Sequence, residues 1–410
     1  MSYKMFVNGE FVDSVSKETY EIHNPANGSV VGTVARGKVE DAKAAIDFAY
    51  EALNRDKKQT TATNISRILQ VTSDLVRRNE TELATLMTLE QGKTLMESRG
   101  EIKFFAHTLE YYAGLKARGS QIRISDTSKI ALVQKEPIGV VAGIVPWNNP
   151  ILLMGAKVAS ALAAGNSIVI KPASSTPLSS LKTGELFSKA GLPKGMLNFI
   201  TGSGDTVGEE LVTNPKTRKV SFTGETATGK RIMQLAASQV KRVTLELGGS
   251  NPIIVADDAD LDAAVNATIN GRFRNAGQGC MCVKRTYVFE SIIPKFMEKL
   301  RESANAIKIG DGMNPTTTMG PVHSRSQLEK VSKQVRESVE GGAKLVTGGR
   351  QPEQADLKNG FFYLPTLVTG TNENSPLIAE ECFGPALPIV AVNSMDEAIE
   401  RANDSIYGLG

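Results

Sequence analysis

Residues 138–150 read Ile138-Gly139-Val140-Val141-Ala142-Gly143-Ile144-Val145-Pro146-Trp147-Asn148-Asn149-Pro150. An uncharged, β-branched run that ends in proline and two asparagines is a buried strand passing into a polar loop. The same texture recurs downstream. Met154–Ala164 has helical composition and Ser167–Ile170 is another buried strand. Leu178–Ala190 is helical until Gly191-Leu192-Pro193 stops it. Leu197–Ile200, Val220–Phe222 and Val243–Leu245 read as strands, and Val207–Leu211 and Gly229–Ala237 as helices. This β-α-β-α alternation predicts an α/β protein whose sheet is mostly parallel and carries helices on both faces. After Gly248-Gly249 a second alternating unit begins, with a helix over Asp260–Arg274, a strand over Thr286–Phe289 and a helix over Lys295–Ala306. A glycine-rich, weakly patterned stretch spans 341–361.

Upstream, Met5-Phe6-Val7 and Phe11-Val12 flank Asn8-Gly9, a hairpin turn signal. Residues 38–118 read as helical, with Ile65, Ile68, Leu69, Val76, Leu83 and Leu86 near helical spacing. Residues 119–136, with Ile122, Ile124, Ile130, Leu132 and Val133, look like a pair of strands. A chain of 410 residues exceeds one ordinary core and calls for at least two domains. The balance of 47 basic and 44 acidic residues leaves a net charge of +3, too small to argue for nucleic acid or a membrane surface. Three cysteines without framework spacing argue for a reducing compartment. The start carries no basic segment followed by an apolar one, and Pro146, Asn148, Asn149, Pro150, Lys157 and Asn166 break the most apolar stretch. The expectation is a cytoplasmic protein without a spanning helix.

Several short stretches can carry chemistry, and each has a plain alternative. Gly277-Gln278-Gly279-Cys280 sets a cysteine among small residues at a helix-to-turn junction, where a thiolate nucleophile can be reached; the alternative is a buried structural thiol. Glu246, between Leu245 and Leu247 at a strand end, is either a desolvated general base or a strand-edge carboxylate facing solvent. Asn148, in the loop after a buried strand, is either an oxyanion donor or part of an Asn-Pro turn. Phe222-Thr223-Gly224-Glu225-Thr226-Ala227-Thr228-Gly229 runs strand, turn, helix, so its backbone amides can meet a pyrophosphate, although it lacks the GxGxxG fingerprint. Lys171, ending Ile168-Val169-Ile170, either meets a ribose or phosphate or is a solvated strand end.

Taken together, Pro146-Trp147-Asn148, Lys171-Pro172, Phe222-Thr223-Gly224-x-Thr226-x-x-Gly229, Glu246-Leu247-Gly248-Gly249, Gly277-Gln278-x-Cys280 and Glu381-x-Phe383-Gly384-Pro385 resemble the aldehyde dehydrogenase superfamily, in its order and over essentially the whole chain. Within it the chain looks most similar to lactaldehyde and glycolaldehyde dehydrogenases, with Cys282 two residues after Cys280. The resemblance implies a Rossmann-like NAD(P)-binding domain (1–118 and 138–248), a small β oligomerisation element (119–137) and an α/β catalytic domain (249–410). It implies Cys280 as nucleophile, Asn148 with the Cys280 backbone N–H as oxyanion donors, and Glu246 as the base that activates water. Trp147, Lys171, Ser174, Gly224, Glu225, Gly229, Glu381 and Phe383 become cofactor residues. Asn149 and Leu153 become substrate residues. A homo-oligomer, a dimer or tetramer, is implied, and no metal.

Four departures bear on detail. Glu225 replaces a common serine beside the pyrophosphate. Ser174 replaces a glutamate that NAD-preferring members use against the ribose 2′-OH, which leaves room for NADP; Lys171 is the only cation the sequence places nearby. Asn149 and Ala156 replace bulkier residues, so the substrate mouth is expected to be polar and to suit a short hydroxylated aldehyde such as lactaldehyde, glycolaldehyde or glyceraldehyde. Relatives continue past Tyr407-Gly408-Leu409-Gly410, over a stretch that supplies an oligomerisation strand and part of the substrate funnel, which puts assembly and activity in question. A CoA-acylating enzyme is disfavoured by Glu246, and a silent cofactor-binding protein by Cys280, Glu246 and Asn148 together. Zinc chemistry finds no support, since His23, His107 and His323 are scattered, and no motif supports Ser-His-Asp hydrolysis.

Overall fold

The computed structural model describes residues 1–55, 60–115, 120–126 and 129–410. Residues 56–59 and 116–118 of the expected helical region, and 119, 127 and 128 of the expected strand pair, lie outside the described residues. Two compact units form: Met1–Ile22, Val30–Glu90 and Ser98–Glu246 make one, and His23–Ser29, Gln91–Glu97 and Leu247–Gly410 the other.

The first unit is built on a seven-stranded sheet in the order Arg242–Glu246, Thr217–Thr223, Val140–Ile144, Ser167–Lys171, Leu197–Phe199, Met5–Val7, Glu10–Val12. The first five strands are parallel. The last two extend the sheet antiparallel, as a hairpin. Its turn is Asn8-Gly9, with φ of 53° and 81°, the left-handed geometry that a two-residue hairpin turn requires. Ser167–Lys171 is buried at every residue, so both faces of the sheet are covered. Val39–Asn54 and Pro150–Ala163 both pack against it. The helical region resolves into Val39–Asn54, Ala62–Arg78, Glu80–Gln91 and Leu95–Gly114. Ser120–Asp126 and Lys129–Gln134 pair antiparallel, as the alternation of their apolar residues suggested.

The second unit has a five-stranded sheet, Asn251–Val255, Val283–Phe289, Ala386–Val392, Thr366–Thr369, Lys344–Thr347, parallel except for the last strand. Val288, Phe296, Leu300, Val331, Leu367, Leu387 and Ile389 fill its core. The strand Lys344–Thr347 lies inside the stretch that looked unpatterned. No helix among the described residues is long and apolar enough to cross a membrane.

Candidate active site

In chain order the five parallel strands of the first unit lie fifth, fourth, first, second, third across the sheet. The order reverses between Val140–Ile144 and Thr217–Thr223, and in open α/β sheets ligands bind at the carboxyl ends beside such a reversal. The loops that leave those two ends carry Trp147-Asn148-Asn149 and Gly224-Glu225. Asn148 is buried, and Trp147 and Asn149 are half-buried. Asn149 sits at the N-cap of Pro150–Ala163, but its side chain makes no capping bond. The helix begins at Pro150 rather than at Met154, because proline suits the first helical position. Its leading amides, Ile151 and Leu152, both donate to Oε1 of buried Glu101 at 2.9 Å. Leu153 is half-buried and Ala156 exposed.

Lys171 ends the central strand with only 5% of its surface exposed. Its Nζ donates to the Pro172 carbonyl at 3.3 Å and has no carboxylate partner among the described residues. Burial alone pulls it down to about 8. It lines a cleft of about 220 Å³ with apolar walls from Val212, Ile232 and Leu235. Ser174, exposed, is not among the lining residues; its Oγ donates to the Gly202 carbonyl at 2.9 Å. Lys171 is not the only cation here. Arg231 also lines the cleft, paired with Glu209 at 2.7 Å and with Asp205 at 3.8 Å.

Gly224 is fixed by an N–H bond to the Glu246 carbonyl at 3.0 Å, and a Cβ there would meet the Phe222 ring. The helix Thr226–Ala237 follows, with exposed Glu225 at its N-cap and no side-chain cap. Gly229 is buried and closes the first turn, its N–H bonding the Glu225 carbonyl at 3.0 Å. Of the two environments open for Glu246, the structure shows the solvent-facing one. Glu246 ends the strand at the sheet edge, where burial alternates, and its side chain is exposed. Behind it, buried Lys157 donates to Thr223 Oγ1 at 2.8 Å and Ser221 Oγ at 3.3 Å. Burial brings Lys157 down to about 8, with the charge of Glu246 acting the other way.

In the second unit, Cys280 is half-buried and follows an unusual turn. Asn275, Ala276 and Gly277 have φ of 49°, 52° and 72°, a conformation that L residues adopt only when the surroundings hold them. Here they are held. Glu97 accepts the Asn275 N–H at 2.6 Å, Gln278 Nε2 donates to the Asn275 carbonyl at 2.8 Å, and Gln91 Nε2 donates to Asn275 Oδ1 at 3.2 Å. Position 277 needs glycine for a further reason, since a Cβ would run into the Gly384 carbonyl. Beyond this turn, Asn251 Nδ2 donates to the carbonyls of Cys280 at 2.7 Å and Cys282 at 3.0 Å. Burial raises the Cys280 thiol, and Lys284 opposes that shift. Glu381 pairs with Lys284, whose Nζ lies 5.1 Å from the centre of the Phe383 ring. Cys382, between Glu381 and Phe383, is buried.

Residues 11–410 match the model of the aldehyde dehydrogenase family. The chain is 42% identical over 412 residues to betaine aldehyde dehydrogenase of Bacillus subtilis, covering 100% of itself and 84% of that protein. It is 41% identical over 405 residues to the NADP(+) succinate-semialdehyde dehydrogenase of Escherichia coli, covering 98% and 83%. The chain belongs to the aldehyde dehydrogenase family. A solved betaine aldehyde dehydrogenase of Staphylococcus aureus in complex with NAD+ superposes with a TM-score of 0.96 at 38% identity, over 100% of this chain and 81% of that one.

The protein is therefore an NAD(P)-dependent aldehyde dehydrogenase with the family's α/β fold. The relatives named above take betaine aldehyde and succinate semialdehyde and are not lactaldehyde enzymes. In the first unit a buried ammonium with no carboxylate partner among the described residues faces a cleft with apolar walls, beside a helix start left without a side-chain cap, the kind of place that attracts an anion. Several residues of this aldehyde dehydrogenase escaped the sequence reading. Thr228, Arg231, Ile232 and Leu235 line the cleft at helical spacing, a period visible once the helix is begun at Thr226 instead of Gly229. Lys157, Glu101, Glu97 and Asn251 gave no such signal, because each acts across a long sequence separation.

Proposed function

We propose that this aldehyde dehydrogenase oxidises a short aldehyde bearing a polar group near its carbonyl, and that it accepts NADP at least as well as NAD. Hydroxylated aldehydes such as lactaldehyde, glycolaldehyde and glyceraldehyde belong to that class. The observation that carries the chemistry is the braced left-handed turn that presents a half-buried Cys280.

The Cys280 thiolate attacks the carbonyl carbon. The resulting oxyanion accepts hydrogen bonds from the Asn148 amide and the Cys280 backbone N–H. A bound nicotinamide supplies the acceptor for the hydride that leaves this adduct. The thioester that remains is hydrolysed by water, one of whose protons Glu246 takes; the carboxylic acid and the Cys280 thiolate are released, and the acid gives its remaining proton to solvent. Lys171, Ser174 and Glu381 would hold the cofactor riboses, and Phe383 would pack near the one on the nicotinamide side. Trp147 and the turn Gly224-Glu225 to Gly229 would hold the rest of the dinucleotide.

Two measurements test this reading. Asn149 and Leu153 would line the substrate mouth; the Asn149 amide offers a donor and an acceptor, and a site built for a polar group discriminates strongly against analogues that lack it. In a panel of lactaldehyde, glyceraldehyde, betaine aldehyde, succinic semialdehyde, hexanal and benzaldehyde, one of the first four should give the highest kcat/KM. A maximum at hexanal or benzaldehyde would overturn the polar mouth. For the cofactor, Ser174→Glu should shift the NADP-to-NAD ratio of kcat/KM toward NAD by about tenfold or more, the effect of roughly 1.4 kcal/mol of repulsion on a 2′-phosphate. A strong NAD preference in the parent protein would contradict the assignment.

A further inference from the structure

Lys284 has no part in the chemistry above, yet its side chain is completely buried, the second residue of Val283–Phe289 and four residues past the nucleophile. A buried ammonium is tolerated only when paired and hydrogen-bonded. The Nζ of Lys284 donates to the Gly249 carbonyl at 2.8 Å and forms an ion pair with Glu381 Oε1. The Gly249 N–H donates to that same oxygen at 3.2 Å. Oε1 is therefore saturated from inside the protein, while no described donor reaches the other oxygen of Glu381. The ammonium also lies 5.1 Å from the centre of the Phe383 ring, within cation–π range. One lysine thus touches both Glu381 and Phe383, two of the residues assigned to the cofactor riboses. Its field reaches Cys280 as well. Burial, Glu381 and Cys282 push that thiol up, and Lys284 is the charge that pulls it down.

We propose that Lys284 is a positioning residue for the oxidation: it anchors Glu381 by one oxygen so that the other is presented to a ribose diol, steadies Phe383, and supplies positive charge to the Cys280 site. The ribose part rests on the reading of Glu381 and Phe383 given above; the thiol part does not.

The test uses the full chain with Cys282→Ser, so that alkylation reports Cys280, and compares Lys284→Gln with Glu381→Gln. Two readouts are independent of turnover: the rate of iodoacetamide alkylation of Cys280 in cofactor-free protein across pH, and the dissociation constant of NADPH from fluorescence titration. Lys284→Gln should slow alkylation near neutral pH by several-fold, where one pKa unit would be about tenfold, and weaken NADPH about tenfold. Glu381→Gln should weaken NADPH similarly but speed alkylation, since the lysine charge is then uncompensated. This opposite sign is not expected of a pair that only holds the fold together. Parent-like alkylation and NADPH binding in Lys284→Gln would overturn the proposal. If Lys284→Gln fails to fold, Glu381→Gln decides alone, and unchanged alkylation there overturns it. Loss of the NADPH effect with the alkylation effect intact would instead reject the ribose assignment of Glu381. Failure of the wider catalytic reading would show separately, as aldehyde oxidation surviving Cys280→Ser.

Discussion

Cys280→Ser is expected to lower aldehyde oxidation by at least about a thousandfold, the scale on which removing a covalent nucleophile acts in other enzymes. A serine hydroxyl ionises far less readily than a thiol and is a much weaker nucleophile near neutral pH. Cys282→Ser should keep much of the activity, because nothing in the braced turn presents that sulfur; a Cβ added at Gly279 would collide with it. Steady-state formation of NADH or NADPH measures both, and equal rates for Cys280→Ser and the parent would remove Cys280 from the mechanism. Because burial raises the Cys280 thiol, the thiolate fraction is small at neutral pH and grows as pH rises. The rate of iodoacetamide labelling at Cys280 should climb with pH accordingly, and buried Cys382 should label last.

Glu246→Gln should produce the second largest effect, and a different one. Glutamine keeps the shape but cannot take a proton from water, so acylation should survive while hydrolysis slows by a factor of about 10² or more. Rapid mixing with excess aldehyde should then show a burst of reduced cofactor, approaching one per active site, followed by a weak steady state. Unchanged turnover would mean that another group activates the water. The exposure of Glu246 at the end of an edge strand favours this role in one respect: water reaches the carboxylate without opening the fold.

The parallel core was legible because its strands are buried on both faces and therefore read as unbroken apolar runs. Val140–Ile144 and Ser167–Lys171 are such strands. The 8–9 turn was legible because few sequences other than Asn-Gly tolerate two left-handed residues. The second unit was harder. The strands Asn251–Val255 and Ala386–Val392 were not anticipated, nor was the helix Arg325–Glu340, although Asp311-Gly312, Asn314-Pro315 and Gly320-Pro321 punctuate the chain just before it. Among candidate site residues, local context singles out Cys280, Asn148 and Lys171. It does not reveal the environment of Glu246, because two flanking leucines say nothing about whether a strand lies at the centre or the edge of its sheet. Glu97 and Lys284 were invisible for the same reason: their partners, Asn275 and Glu381, lie 178 and 97 residues away.

Glu101 has a counterpart in the first unit. Glu90, fully buried, accepts the Leu178 N–H at 2.7 Å and the Ser179 N–H at 2.9 Å, while burial pushes its carboxyl up to about 7 against those bonds. A short helix at Gly204 follows the parallel strand Leu197–Phe199, and helices of at least 12 residues begin past three other parallel strands, at Pro150, Leu178 and Thr226. Each start offers an anion the same attraction of unpaired amides and a positive dipole end. The protein has supplied its own anion to the first two. A phosphate entering this crevice is thus sorted by prior occupancy: of the three long-helix starts, two are filled by glutamates belonging to the scaffold, and the one at Thr226 has no side-chain cap.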